Sequence, residues 1–296
     1  MAGTGKIFLT GHRGQLGSDL LTILSEKYEV AGFDLPELDI CNEQAVLDAM
    51  RIVRPDVAIH TAAYTDVDGC ESNRETAMTV NAVGTHNLAL ACAEMGTRLI
   101  YYSTDYVFDG TKAEAYLETD QPNPKTTYGL SKLAGERAIE VLVENHLIMR
   151  IAWVYGRTGR NFVKTMIHLG RQQLDRIGRG DNVTPLKVVD DQFGNPTWTV
   201  DIAQQTMALL DSDLRGVVHA TSEGETSWYG FASGIFHLMD MPVSLMPCTT
   251  EDFPRPAPRP KRSSLENSRL KAAGKNLMRD HRDALEQFIK TEGLEL

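Results

Sequence analysis

The stretch "KIFLTGHRGQLGSDLLTIL", residues 6–24, decides the architecture. A short, mostly apolar run reaches Thr10. Gly11, Gly14 and Gly17 follow at three-residue spacing, and apolar residues then recur at helical intervals. A buried strand, a glycine loop and a helix are therefore expected in immediate succession. Glycines in such a loop allow a tight turn, close approach of a pyrophosphate to the backbone, and close seating of the helix on the strand. The helix start adds unpaired amides and the positive end of the helix dipole, both favourable to phosphate. The spacing is G-x-x-G-x-x-G, and it is the strand–loop–helix setting that gives the triplet its meaning.

Outward from this unit the same alternation continues. "YEVAGFD" (28–34), "PDVAIHTA" (55–62), "TRLIYYSTD" (97–105) and "LIMRIAWVYG" (147–156) have the character of strands. "NEQAVLDAMRIV" (42–53), "ETAMTVNAVGTHNLALACAEMG" (75–96) and "SKLAGERAIEVLVENH" (131–146) have helical spacing. Strands alternating with helices predict an α/β fold, a doubly wound parallel sheet covered by helices on both faces. Ligands of such sheets bind beyond the carboxyl ends of the strands. After residue 156 the alternation breaks into polar and Gly/Pro-rich stretches, among them "RIGRGDNVTP" (176–185) and "FPRPAPRPKRSSL" (253–265). Residues 1–150 are thus expected to form the first domain and 151–296 mainly a smaller C-terminal lobe. Segments near 187–221, including the strand-like "GVVHAT" (216–221), are expected to return to the first domain. The proline-rich run is compatible with a solvated linker.

Composition sets further bounds. The chain has 296 residues, 42% of them hydrophobic and 24% charged, as in an ordinary globular protein. Its net charge is −10 and its pI near 5.3, which argues against bulk nucleic-acid affinity. No apolar run approaches the ~20 residues that span a bilayer, and "MAGTGKIFLTG" lacks the regions of a signal peptide. A cytoplasmic location is the expectation. Cys41, Cys70, Cys92 and Cys248 are scattered without metal-ligand spacing, as reduced thiols would be.

Two groups of residues suggest chemistry. Asp34 ends the second strand, where an acid binds the adenosine ribose hydroxyls of NAD, although a turn residue also fits there. Arg13, inside the glycine loop, would favour the 2′-phosphate of NADP. In "TTYGLSKLAGE" (126–136), Tyr128 and Lys132 are four apart, hence on one helix face. A nearby ammonium stabilises phenolate and would draw the Tyr128 pKa down from its usual ~10, making the phenol a usable acid–base group. Ser103 or Thr104, at the end of "YYST", brings a hydroxyl to the carboxyl end of the sheet. Asn81 interrupts an apolar helix pattern; it fits either a held internal water or an ordinary satisfied buried amide.

The TGxxGxxG loop and the YxxxK pair resemble those of the extended short-chain dehydrogenase/reductases. More specifically, the chain resembles the dTDP-4-dehydrorhamnose reductase family. The matching stretches include "RPDVAIHTAAYTDVDGCE" (54–71), "YYSTDYVFDG" (101–110), "YGLSKLAGE" (128–136), "DDQFGNPTWTVDIA" (190–203) and "RPAPRPKRSSL" (255–265). The resemblance implies a Rossmann-type sheet, and Thr104, Tyr128 and Lys132 as the catalytic group. It implies cofactor contacts at Gly14, Gln15, Leu16, Asp34, Asp39, Ile40, Ala63, Tyr64, Thr65 and Tyr102, beside the loop residues Gly11, Arg13 and Gly17. It implies substrate contacts at Thr104, Asp105 and Trp153, NADPH or NADH as cofactor, and a dTDP-sugar as substrate. The proline-rich run would supply Arg or Lys to the nucleotide diphosphate. Some family members carry an acidic Mg²⁺ site at a dimer interface; a homodimer is expected on that ground, while Asp190 and Asp191 alone do not establish a metal. The polar stretch 174–186 departs from the family pattern and is a candidate for reshaping the substrate lobe. A non-catalytic alternative is an NADP-binding regulatory subunit similar to the beta subunit of methionine adenosyltransferase.

Overall fold

Alternation along the strands sorts the core into two faces. In the computed structural model, which describes residues 5–294, β1 (Lys6–Thr10) turns Ile7 and Leu9 to one side and Phe8 to the other. The remaining strands of the sheet are β2 (Glu29–Phe33), β3 (Val57–His60), β4 (Arg98–Thr104), β5 (His146–Ile151) and a later strand at Gly216–His219. Ile59, Ile100, Tyr102, Leu147 and Met149 share the face of Ile7. Ala58, Leu99, Tyr101 and Ile148 share that of Phe8. This is the period of two that a pleated strand imposes. Because both faces are covered by helices, the strands read as nearly continuous apolar runs.

Every pairing in this sheet is parallel. From β1 the chain goes to β2 on one side and then to β3 on the other, which opens a crevice beyond the β1 and β3 ends. Helix α1 (Gln15–Leu24) follows the glycine loop, and α2 (Glu43–Val53) starts at Asn42, whose side chain accepts from the Ala45 amide. Short helices α3 (Val67–Ser72) and α4 (Arg74–Met78) precede a π-helical turn at Thr79–Gly84, which runs into α5 (Thr85–Met95). The single helix expected over 75–96 is thus interrupted, and Asn81 sits in the π turn. Helix α6 (Thr127–Leu142) begins earlier than its apolar pattern indicated, because the Thr126 hydroxyl caps the Gly129 amide. Tyr128 therefore stands in its first turn.

The strand expected over 147–156 is two. Trp153 has φ +45°, so the chain turns out of the sheet after β5. It resumes as β6 (Val154–Tyr155), which pairs outside the main sheet. The lobe then holds α7 (Phe162–Gly178), β7 (Leu186–Val189), β8 (Phe193–Gly194) and β9 (Thr197–Trp198). Helix α8 (Thr199–Leu210) packs on α1, and β10 (Gly216–His219) pairs with β5, so both lie with the main sheet. The buried Arg98 guanidinium holds α8 there by donating to the carbonyls of Leu209, Leu210, Ser212 and Leu214. Next come β11 (Thr226–Ser227), α9 (Trp228–Leu238) and β12 (Leu245–Cys248), then α10 (Ser268–Ala272) and α11 (His281–Thr291). β7 pairs with β12 and β8 with β11 in two separate small sheets. A second core around Tyr155, Phe231, Phe236 and Phe288 holds the lobe together. No helix among the described residues is long and apolar enough to cross a membrane, and the four cysteines are free thiols.

One fully buried ion pair joins α6 to β5. Arg150 donates from Nε and Nη2 to the two carboxylate oxygens of Glu136, at 3.0 and 2.7 Å. Removing one partner leaves an uncompensated buried charge. Glu136→Ala is therefore expected to cost about 3–5 kcal/mol in urea unfolding, and the double change Glu136→Leu with Arg150→Met to recover most of it. A loss below about 1 kcal/mol for the single variant would remove the pair from the list of structural constraints.

Candidate active site

The N-terminal end of α1 is built for an anion. Its N-cap is Gly14, in extended conformation and offering no side-chain acceptor, so the first amides remain free. Gly11 has φ +71°, and a Cβ there would lie 2.6 Å from the Ala62 nitrogen. A Cβ on Gly17 would overlap the Gly11 carbonyl oxygen. Gly11 thus lets the end of β1 lie against the loop after β3, and Gly17 seats α1 on the glycine loop, each closer than a side chain permits.

From this helix end a cleft of about 460 Å³ runs across the sheet to the start of the lobe. Of the residues singled out from sequence, it is lined by Gly14, Gln15, Leu16, Gly17, Ala63, Thr65, Tyr102, Ser103, Thr104, Asp105, Tyr128, Lys132 and Trp153. Gly11, Asp34, Asp39 and Ile40 lie instead around a smaller pocket of about 90 Å³ on the far side of the glycine loop. Arg13 and Tyr64 border neither pocket. The Asp34 carboxylate is already engaged, Oδ2 by the Arg13 amide at 3.2 Å and Oδ1 by the Leu35 amide at 2.9 Å. The Arg13 guanidinium donates to the Leu35 carbonyl at 2.9 Å and pairs with Glu37. Sequence reasoning missed Tyr106 and Trp228, both of which line the cleft. The signal for Trp228 was an aromatic residue directly after Ser227, which caps α9.

The reacting end gathers around β4. Thr104 Oγ1 donates to Asp105 Oδ1 at 2.9 Å and accepts from the Tyr106 amide at 3.2 Å. Asp105 is buried and its Oδ2 has no hydrogen-bond partner among the described residues, as is also true of Ser103 Oγ. Burial pushes the Asp105 carboxyl up to about 6, opposed by the nearby Ser263 and Thr104 hydroxyls. Tyr106 meets Tyr128 edge-on, ring centres 5.7 Å apart. The Tyr128 phenol is pushed well above its ordinary value, first by burial and then by the Asp105 carboxylate; the Thr104 hydroxyl opposes the shift. This reverses the direction expected from the Tyr–Lys spacing. Burial and the Asp105 carboxylate decide that direction, and Lys132 is not among the groups acting on the phenol; it is itself buried, its Nζ 4.1 Å from the centre of the Tyr101 ring. Burial draws Lys132 down to about 7, with Glu136 opposing.

Asn81 proves to be a satisfied amide. Its Oδ1 accepts from the Tyr64 amide at 2.8 Å, and Nδ2 donates to the Tyr64 carbonyl at 3.0 Å and to Ser131 Oγ at 2.9 Å. The DDQ loop is a structural knot. Asp190 accepts from Ser227, Asp191 from Thr250, and Gln192 accepts from the Trp228 indole N–H. Among the described residues, no group of three or more His, Cys, Asp or Glu is placed to hold a metal ion. The proline-rich run is a strap rather than a linker. Arg259 bonds Asp68 of α3 at 2.8 Å, and the Ser263 amide bonds the Phe193 carbonyl at 2.8 Å. None of residues 174–186 lines the cleft.

Lys132 carries a pH dependence of its own. Its pKa, depressed to about 7, lies below the unfolded value of 10.5, so between these values the unfolded chain binds more protons. Stability contributed by this group must then rise with pH across that window. Relative to Lys132→Met, the wild-type protein is expected to gain stability from pH 7 towards pH 10 in paired urea titrations. Parallel curves for the two proteins would show that Lys132 stays charged in its pocket.

The family model described as the RmlD substrate binding domain matches residues 5–293. The chain is 42% identical to dTDP-4-dehydrorhamnose reductase of Mycobacterium tuberculosis over 96% of this chain and 93% of that protein. It is 36% identical to dTDP-4-keto-6-deoxy-D-glucose reductase of Streptomyces niveus over 96% of each. Its structure is similar to that of dTDP-4-dehydrorhamnose reductase from Bacillus anthracis in complex with NADP, with TM-score 0.92, 38% identity, and 97% and 99% of the two chains covered. With the glycine-loop helix and the tyrosine–lysine helix meeting in one cleft, the chain belongs to the dTDP-4-dehydrorhamnose reductase family of oxidoreductases.

Proposed function

We propose that this protein reduces the C4 keto group of dTDP-4-dehydro-L-rhamnose, giving dTDP-L-rhamnose, with NADPH as the preferred and NADH as a second hydride source. The observation that carries this reading is the single cleft joining the uncapped N-terminus of α1 to Thr104, Tyr128 and Lys132. The free amides, the close approach at Gly11 and Gly17, and the second pocket at Asp34 and Asp39 fit a dinucleotide. Bound there, a reduced nicotinamide supplies the hydride.

The chain's own groups would do the rest. Tyr128 gives its proton to the oxygen that becomes the C4 hydroxyl. A phenol whose pKa is raised by burial and by Asp105 remains protonated at neutral pH, the state a donor needs. Thr104 orients the carbonyl, its hydroxyl lying beside both Asp105 and the phenol. Lys132 holds cofactor ribose hydroxyls from one turn further along α6. Arg255 and Arg259 of the strap, paired with Asp68 of α3, would meet the sugar nucleotide's diphosphate. The nearest competing reading is reduction of another dTDP-4-keto sugar, favoured by the comparable identity to the Streptomyces niveus reductase.

Oxidation of NADPH and NADH against dTDP-, GDP- and UDP-linked 4-keto sugars tests the proposal. No turnover with any dTDP-4-keto sugar would end it; faster turnover with a different dTDP-4-keto sugar would favour the competing reading. Tyr128→Phe is expected to lose about 10²–10⁴-fold in kcat while binding NADPH normally by fluorescence titration. Near-wild-type turnover would remove Tyr128 from the proton transfer. Arg13→Ala is expected to lower the NADPH/NADH ratio of kcat/KM by about tenfold, as loss of one exposed charge-assisted contact would. An unchanged ratio would place the choice of cofactor elsewhere.

A further inference from the structure

The cleft ends in a face-to-face pair of indoles. Trp153 and Trp228 are stacked with ring centres 3.5 Å apart and planes within 2°. They come from different parts of the fold, Trp153 from the turn after β5 and Trp228 from the first residue of α9. Aromatic pairs prefer offset or edge-on arrangements with centroids about 4.5–7 Å apart.

The two indoles are not equally held. Trp228 Nε1 donates to Gln192 Oε1 at 3.1 Å, and Gln192 Nε2 donates to Thr250 Oγ1 at 3.0 Å. Asp190 grips Ser227, the cap of the same helix, and Phe162 packs on the Trp228 ring at 4.6 Å. Trp153 has only a backbone anchor, its carbonyl accepting from the Thr197 amide at 3.2 Å. Its indole edge rests on the backbone of Gly194, which is fixed in the β8–β11 pairing. No hydrogen bond to the Trp153 indole nitrogen is seen among the described residues.

We propose that Trp228 is a specificity-determining platform for the sugar ring, which takes the indole face now stacked on Trp153 as the Trp153 side chain rotates away. The inference rests on the cleft being a dTDP-sugar reductase site. A 6-deoxy sugar presents a methyl group and C–H faces that suit an indole. Carbon atoms in contact stand about 3.5–4.0 Å apart, so a ring between the indoles needs them about 7–8 Å apart. At the observed 3.5 Å no ring enters between them. Of the two, Trp228 is held by the DDQ knot, whereas the Trp153 side chain makes no hydrogen bond among the described residues, so a ring that takes the Trp228 face displaces Trp153.

The chain has three tryptophans, so the exciton couplet of stacked indoles in far-ultraviolet circular dichroism can be assigned. It should be present in the free protein and absent in Trp153→Phe. Calorimetry on the same samples reports ligand binding. Saturating dTDP-L-rhamnose is expected to abolish the couplet and dTDP alone to leave it. Trp228→Leu is expected to raise the KM for the sugar nucleotide roughly tenfold with cofactor Kd unchanged. If dTDP-L-rhamnose binds and the couplet persists, the platform is refuted while the proposed function stands. If dTDP alone abolishes it, the nucleobase rather than the sugar takes the Trp228 face, and the inference falls. If neither ligand binds, the proposed function and the inference fall together.

Discussion

The carboxamide of Asn81 joins the parts of the molecule that must meet for the cleft to exist. One side chain bonds both backbone groups of Tyr64, in the loop after β3, and the hydroxyl of Ser131 on α6. The loop after β3 lines the cleft through Thr61, Ala63 and Thr65, and α6 carries Tyr128 and Lys132. Helix α6 reaches this seam because Gly135 lets its backbone pass within contact of the Asn81 carbonyl and the Tyr101 hydroxyl. The π turn around Asn81 widens the helix at the point where the amide must point sideways, a use of such turns common at functional sites. A buried amide with all its partners made specifies one arrangement, since any other leaves polar groups unpaired.

Electrostatics at the reacting end follow from the same close packing. Lys132 lies on the Tyr101 ring instead of in water, and the Glu136–Arg150 pair stands one turn behind it. Burial therefore dominates each of the three groups in the direction that removes its charge: lysine down, tyrosine up, aspartate up. The phenol is thereby held in its protonated form beside the Thr104 hydroxyl and the Asp105 carboxyl.

The lobe is tied to the sheet domain by polar knots at the mouth of the cleft. The DDQ loop orders the start of α9, and the strap at 255–265 is stitched to α3 through Asp68 and to β8 through backbone bonds. Gln15 extends this connection: its amide donates to the Val154 carbonyl and accepts from Asn161, so the glycine loop touches the segment next to Trp153. Both ends of the cleft are thus built on one continuous set of contacts.

Short-range pattern was enough for most strands of the sheet, for the glycine loop and for placing Tyr128 and Lys132 on one helix, because period-two alternation, glycine spacing and a four-residue helical offset are local properties of the chain. The motifs of residues 101–110, 128–136 and 190–203 were equally legible as a resemblance. Other features were decided only in three dimensions. The turn at Trp153, which divides the expected strand, depends on β6 finding β9 in the lobe. The place of Trp228 depends on Gln192, thirty-six residues away in sequence. The direction of the Tyr128 shift depends on which charges and how much protein surround the phenol, and spacing along a helix says nothing of that. Sequence determines which groups are near in the chain; burial and long-range contact, the sources of desolvation and of fixed orientation, belong to the folded structure.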